Sequence, residues 1–339
     1  TGGDIDPRLT ALTEIAALGA AVNLAGGLKV TNGSITTVVD TSSVVTVQDL
    51  INAVSTAQVG ARLVIDADGR GLDALNEISG TSLSIGESSG GTTATDLGIR
   101  SLDANTTLAT FRHGLGVQTN GGTQTDLRVT LHDSARDFEV DLDGALTVGD
   151  AITAIENAAV AAGLVLGVDF AVGLAADGNG LELTDNTAGA GSFTAGSINL
   201  SFVAEHLGIA AGVGAGTTIA GTDEATVRTE SVFTHLMMLR EGLLTDDTQL
   251  ITAAGTAIEL DVQRIATTRA EVGVRSRRVS AEENRLTNRD IQARQLLSDV
   301  QDTDYTEAIS RFSQLQQQLE ANLVTAQQVL QLTLLDFLR

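Results

Sequence analysis

The four histidines, His113, His132, His206 and His235, are the side chains best suited to proton transfer or metal binding near neutral pH. They lie far apart and share no ligand or triad spacing, so surface or structural places are expected for them. The chain has no cysteine, which excludes disulfides, thiolate zinc sites and a cysteine nucleophile. One run of carboxylates, Asp66-x-Asp68-Gly69-x-Gly71-x-Asp73, has the rhythm of a calcium loop. A later run of the same kind, Asp177-Gly178-Asn179-Gly180, lacks most of those carboxylates, so β-turns are expected at both places. Gly212-Val213-Gly214 has no Lys-Ser or Lys-Thr after it and is expected to link rather than to bind phosphate. Arg275, Arg277 and Arg278 stand beside Glu271, Glu282 and Glu283, as on a solvated, ion-paired helix face. Nothing here supplies a nucleophile with its base. No enzyme, cofactor or metal site is expected.

Composition narrows the alternatives. At 339 residues the chain is long enough for two or three cores, and 42% hydrophobic residues argue for folded protein. Aromatics are 3%, with no Trp and a single Tyr, so few rings are left to stack on bases or sugars. The net charge of −23 repels phosphate backbones and makes nucleic acid a poor partner. No stretch of about 18 apolar residues suggests a membrane span, and no signal peptide is visible. The chain opens Thr1-Gly2-Gly3 without Met, so an N-terminal segment is expected to have been removed.

Glycine marks the main boundary: 32 of 36 precede residue 221, so strands and turns are expected before it and helices after it. The Gly-rich stretch Gly208 to Gly221 is expected to connect the two parts. Within the first part, Thr46-Val47-Gln48-Asp49-Leu50-Ile51 returns as Thr147-Val148-Gly149-Asp150-Ala151-Ile152. Asp68-Gly69-Arg70-Gly71-Leu72 returns as Asp177-Gly178-Asn179-Gly180-Leu181, and Leu97-Gly98-Ile99 as Leu207-Gly208-Ile209. Three matches in one order indicate a duplicated module of domain size. In each copy a strand-rich stretch (Leu28 to Val39, Leu127 to Leu142) precedes a helix capped by Thr46 or Thr147, with Asp49 or Asp150 three positions on. Val47, Leu50, Ile51 and Val54 fall on one buried helix face, and further strands follow. The fold class expected is multidomain: two duplicated α+β, β-rich modules and a long, coiled-coil-like C-terminal helical segment. Boundaries fall at 1–104, 105–220, 221–300 and 301–339.

Helix is expected from Glu224 onward. Ile251, Ile258, Ile265, Val272, Val279 and Leu286 recur every seven residues, the spacing of a coiled-coil seam. The companion position is weak, with Ala254, Asp261 and Thr268. After an acidic break at Asp299 to Asp304, a second seam runs through Tyr305, Ile309, Phe312, Leu319, Leu323, Leu330, Leu334 and Phe337. One thin stripe does not stabilise a long lone helix, so partner helices must cover it. These seam residues are the candidate assembly interface.

The stretch Asp302-Thr303-Asp304-Tyr305-Thr306-Glu307-Ala308-Ile309-Ser310, the Gln-rich helix after it and the ending Leu334-Leu335-Asp336-Phe337-Leu338-Arg339 resemble the C-terminus of bacterial flagellin-type proteins. The ending looks most like flagellar hook-associated protein 3, the hook–filament junction protein. The repeated Thr-Val-x-Asp-x-Ile and Asp-Gly-x-Gly-Leu resemble the flagellar hook IN motif. The resemblance implies a structural subunit outside the cell, exported by the flagellar type III apparatus without a cleaved signal. It implies that the C-terminal helix pairs with an N-terminal helix of the same chain, and that an export chaperone binds the terminal helices. Implied partners are the hook, the neighbouring junction protein and flagellin, with copies of the chain forming a ring. A filament flagellin is the near alternative; an adhesin or carbohydrate-binding module on a helical stalk is the distant one.

Overall fold

The computed structural model describes residues 8–18 and 22–337, without the side chains of residues 302–304 and 332–337. Thr1-Gly2-Gly3 and the side chains of Leu334 and Phe337 therefore lie outside the described residues. The chain forms two units, Thr1–Asp261 and Val262–Arg339.

The first unit begins with strands β1 (Leu28–Asn32) and β2 (Ile35–Val39), helix α1 (Val47–Thr56), then β3 (Ala61–Ile65), β4 (Leu72–Asn76), β5 (Leu83–Glu87) and the short helix α2 (Thr93–Asp96). A single turn, α3 (Phe111–Gly114), leads to the second copy. There β6 (Leu127–Thr130), β7 (Phe138–Val140), α4 (Val148–Ala161), β8 (Phe170–Leu174), β9 (Leu181–Asp185), β10 (Phe193–Ser197) and α5 (Val203–His206) follow in the same order. Strands β11 (Ala211–Gly214) and β12 (Thr218–Ala220) complete it. The pairing repeats as well. A β2-β1-β5 sheet in the first module answers to β7-β6-β10 in the second, and the β3-β4 hairpin answers to β8-β9. All these pairs are antiparallel.

The repeated sequence motifs explain the repeated helices. Thr46 Oγ1 accepts from the Asp49 amide while the Asp49 carboxylate accepts from the Thr46 amide, and Thr147 with Asp150 makes the same pair. Two otherwise unpaired amides at each helix start are thereby satisfied. Val47, Leu50 and Val54 are buried on one face of α1, and Val148, Ala151, Ile155 and Ala159 on one face of α4. Each helix closes its own core. In the second module Phe170 is fully buried and meets Phe138 edge to face at 5.3 Å.

The Asp-Gly-x-Gly turns have a use that the sequence did not show. Asp66 closes its turn by backbone bonds to Gly69 and Gly71, as expected. In the second copy, Gly178 exchanges two backbone hydrogen bonds with Glu87 on β5 of the first module. A Cβ on Gly86 would lie 2.2 Å from the Gly178 carbonyl oxygen, so only glycine permits this approach. Around it Lys29 pairs with Asp177, and Arg100 donates to Asn179 and to the Ala175 carbonyl. The turn is the joint between modules.

Three expectations are corrected downstream. Gly208 to Gly221 is no linker: β11 pairs with β10, β12 pairs with β9, and Ile219 is fully buried. Helix begins at Val232, not Glu224, because residues 222–231 run as a strap back to the first module. Val227 exchanges backbone bonds with Leu83, and the Thr229 hydroxyl donates to the Asn76 carbonyl. Helix α6 (Val232–Thr245) follows, capped by Ser231, and ends on Asp246 in the left-handed region. Asp247 then accepts from the amides of Gln249 and Leu250 to start α7 (Thr248–Phe337). Helix α7 is 90 residues, about 135 Å at 1.5 Å per residue. It runs unbroken through Asp299 to Asp304, where a break was expected. An Asp costs a helix interior at most about 0.7 kcal/mol relative to Ala, too little to interrupt the backbone ladder.

Candidate functional site

The described residues of the second unit are one helix, and its apolar side chains face solvent. Ile265, Val272, Val279 and Leu286 of the first seam are exposed, as are Tyr305, Ile309, Phe312, Leu319, Leu323 and Leu330 of the second. Leu315 and Val329 widen that second stripe. On a straight helix a seven-residue repeat drifts about 20° per heptad, so a covering helix must wind around it. Ile251 and Ile258 differ. They belong to the first unit and are half-buried. There the packing comes from Leu250 and from Ala254 of the companion position, both buried against Met238 of α6. Small Ala254 lets the helices close. Asp261, which looked like a fault in the seam, is 2% exposed and hydrogen-bonded to His235.

Among its described residues α7 exposes twenty large apolar side chains, a surface with no use in a free chain. Their spacing matches a helix built to be wrapped by others.

Residues 255–338 match the bacterial flagellin C-terminal helical region. The match takes in both exposed seams and supports a flagellin-type axial protein, a structural subunit of the bacterial flagellum. Neither the curated proteins nor the solved structures contain a match to the chain. Among the described residues, no helix is long and apolar enough to cross a membrane.

Just before this flagellin-type region, α6 turns an apolar face outward too. Phe233, Leu236, Met237, Leu243 and Leu244 are exposed, whereas Thr234, His235 and Gly242 are among the residues facing inward. Met238 faces inward as well, so α6 carries apolar side chains on both sides, unlike an ordinary surface helix. The exposed apolar surface therefore begins ahead of the matched residues.

The joint where α6 meets α7 is rich in charge. Arg112 and His113 of α3 both lie in the left-handed region, at φ 50° and 60°. Such a conformation costs about 1–2 kcal/mol per residue for a side-chain-bearing position. It aims both side chains at the joint. Arg112 pairs with Asp247 at the start of α7, and His113 lies 3.3 Å from Glu241 on α6. Burial, then the Arg112 charge, depress His206 to about 4, so it stays neutral and accepts from the Gln118 amide. His132 sits between Asp185 and the Gly214 carbonyl, inside the second module. The histidines are thus placed in packing and joints. None of them shares a site with another.

Proposed function

We propose that the protein is a junction subunit of the bacterial flagellum, joining hook to filament through its long helix while the two β-rich modules stay outside. The observation that carries this reading is the exposed seam of α7 lying within the flagellin-type match. The seam residues from Ile265 to Leu330, continued by Leu334 and Phe337, are its assembly interface. Covering helices come from the same chain and from neighbouring axial subunits: hook, adjoining junction protein and flagellin. Copies close into a ring, an export chaperone masks the apolar helix before assembly, and the chain leaves the cell without a cleaved signal.

Two further features support a junction rather than a bulk filament subunit. The ending Leu334-Leu335-Asp336-Phe337-Leu338 resembles that of the hook-associated protein 3 family, and the paired modules resemble hook IN motifs. A filament flagellin shares the helix and differs in position and number. Immunogold labelling with an antibody to the β modules separates the two. A single band between hook and filament is expected. Label along the whole filament moves the assignment to flagellin, and unlabelled flagella on cells that secrete the protein sink both.

A further inference from the structure

His235 holds a position that a neutral imidazole fits badly. Its Nδ1 lies 2.6 Å from the Asp261 carboxylate on α7, and its Nε2 lies 3.0 Å from the Glu230 carboxylate in the strap before α6. A neutral ring has one N–H and one lone pair, so one contact would set a lone pair against a carboxylate oxygen. The imidazolium donates to both. His235 is 8% exposed and Asp261 2%, so water does not readily replace the bond between them, whereas Glu230 reaches the ring from an exposed position.

The packing beneath this pair is thin. Met238, Leu250 and Ala254 form the buried cluster between α6 and the first turns of α7, with Leu239 and Ala253 at its edge. A joint with so few buried apolar contacts belongs to the low-stability end of a folded chain. At the other end of α6, Arg112 grips Asp247 at the start of α7.

We propose that His235 is a proton-operated clasp: protonated, it ties strap, α6 and α7 together, and on losing its proton it frees the α7 turns around residues 250–261 from α6. The Arg112–Asp247 pair keeps the start of α7 anchored, so the release is a hinge movement and not a detachment. The charged groups acting on His235 are Asp261 from α7 and Glu230 from the strap. Burial opposes the charge, and the hydrogen bonds and charges of these two carboxylates outweigh it, holding the pKa above the ordinary histidine value. The sign follows. The clasp is closed below the unfolded-state pKa of about 6.5 and opens as pH rises through the higher native value.

The test uses the full chain. Nitrogen-15 NMR of the imidazoles should show both His235 nitrogens protonated at pH 6. Amide-exchange protection at residues 250–261 should fall with rising pH, by roughly tenfold for each unit separating native and opened pKa values. His235→Gln should remove that pH step, and His113→Gln should leave it. Glu230→Gln, at an exposed carboxylate, should lower its midpoint, which decides the matter even if His235→Gln folds poorly. A neutral His235 at pH 6, or a pH step that survives His235→Gln, overturns the proposal.

Discussion

Replacing Leu319 and Leu323 together by alanine separates a face meant for partners from one that serves the chain itself. The two side chains are 62% and 61% exposed. Full burial of a leucine is worth about 2 kcal/mol, so covering what remains open yields about 1.2 kcal/mol at each site. The double variant should lose about 2.4 kcal/mol of assembly energy, near a 50-fold rise in critical concentration. The free chain should barely notice, because surface changes fall within about 0.5 kcal/mol and alanine is the strongest helix former. Sedimentation of assembled against free protein gives the first quantity, and thermal unfolding followed by circular dichroism gives the second. Gln317→Ala with Gln328→Ala, on the opposite side of the helix, should leave both unchanged. If the leucine pair lowers the melting temperature of the free chain while assembly is unaltered, the seam is an internal contact and the reasoning is wrong.

Phe170→Ala empties a fully buried site against Phe138 and should cost about 3–5 kcal/mol, measured by chemical denaturation. Gly86→Val sets a side chain against the Gly178 carbonyl and should part the modules without emptying either core; limited proteolysis should then cut faster between residues 101 and 107. Burial raises the pKa of Glu224 above its ordinary value, so its ionisation costs stability as pH rises through that value. Glu224→Gln should therefore raise the melting temperature at pH 7 and change it little at pH 4. His206 has the opposite sign: its stabilisation is full above about pH 6.5 and fades as pH falls towards about 4. His206→Gln should flatten that acid limb of the stability curve.

The duplicated modules were legible because their signals are local. Thr46 with Asp49 and Thr147 with Asp150 announce helix starts within four residues, and both capping boxes form. What sequence could not show is distant or small. Strands β11 and β12 hid in Gly, Ala and Thr, with only Val213 and Ile219 as large apolar residues and no alternation to betray them. Asp261 seemed to spoil a heptad because its partner, His235, is 26 residues away. The use of Gly178 as a joint was equally hidden, since its partner Glu87 sits in the other module. A glycine-rich turn carries no mark of what will dock on it.

The strap of residues 222–231 fixes an order of events as well as a contact. Asn76 donates to the Val227 carbonyl 151 residues further along, and Leu83 on β5 takes the Val227 backbone as its neighbour. A chain that emerges N-terminus first must therefore present both modules before the first can be finished. Until Val227 arrives, the β5 edge has open backbone groups at Leu83, the kind of unpaired strand that invites wrong partners. Closure of the first module and delivery of α6 to its seat are thus one late step, timed by the passage of the second module. The chain becomes a finished subunit only as its assembly helix comes into reach.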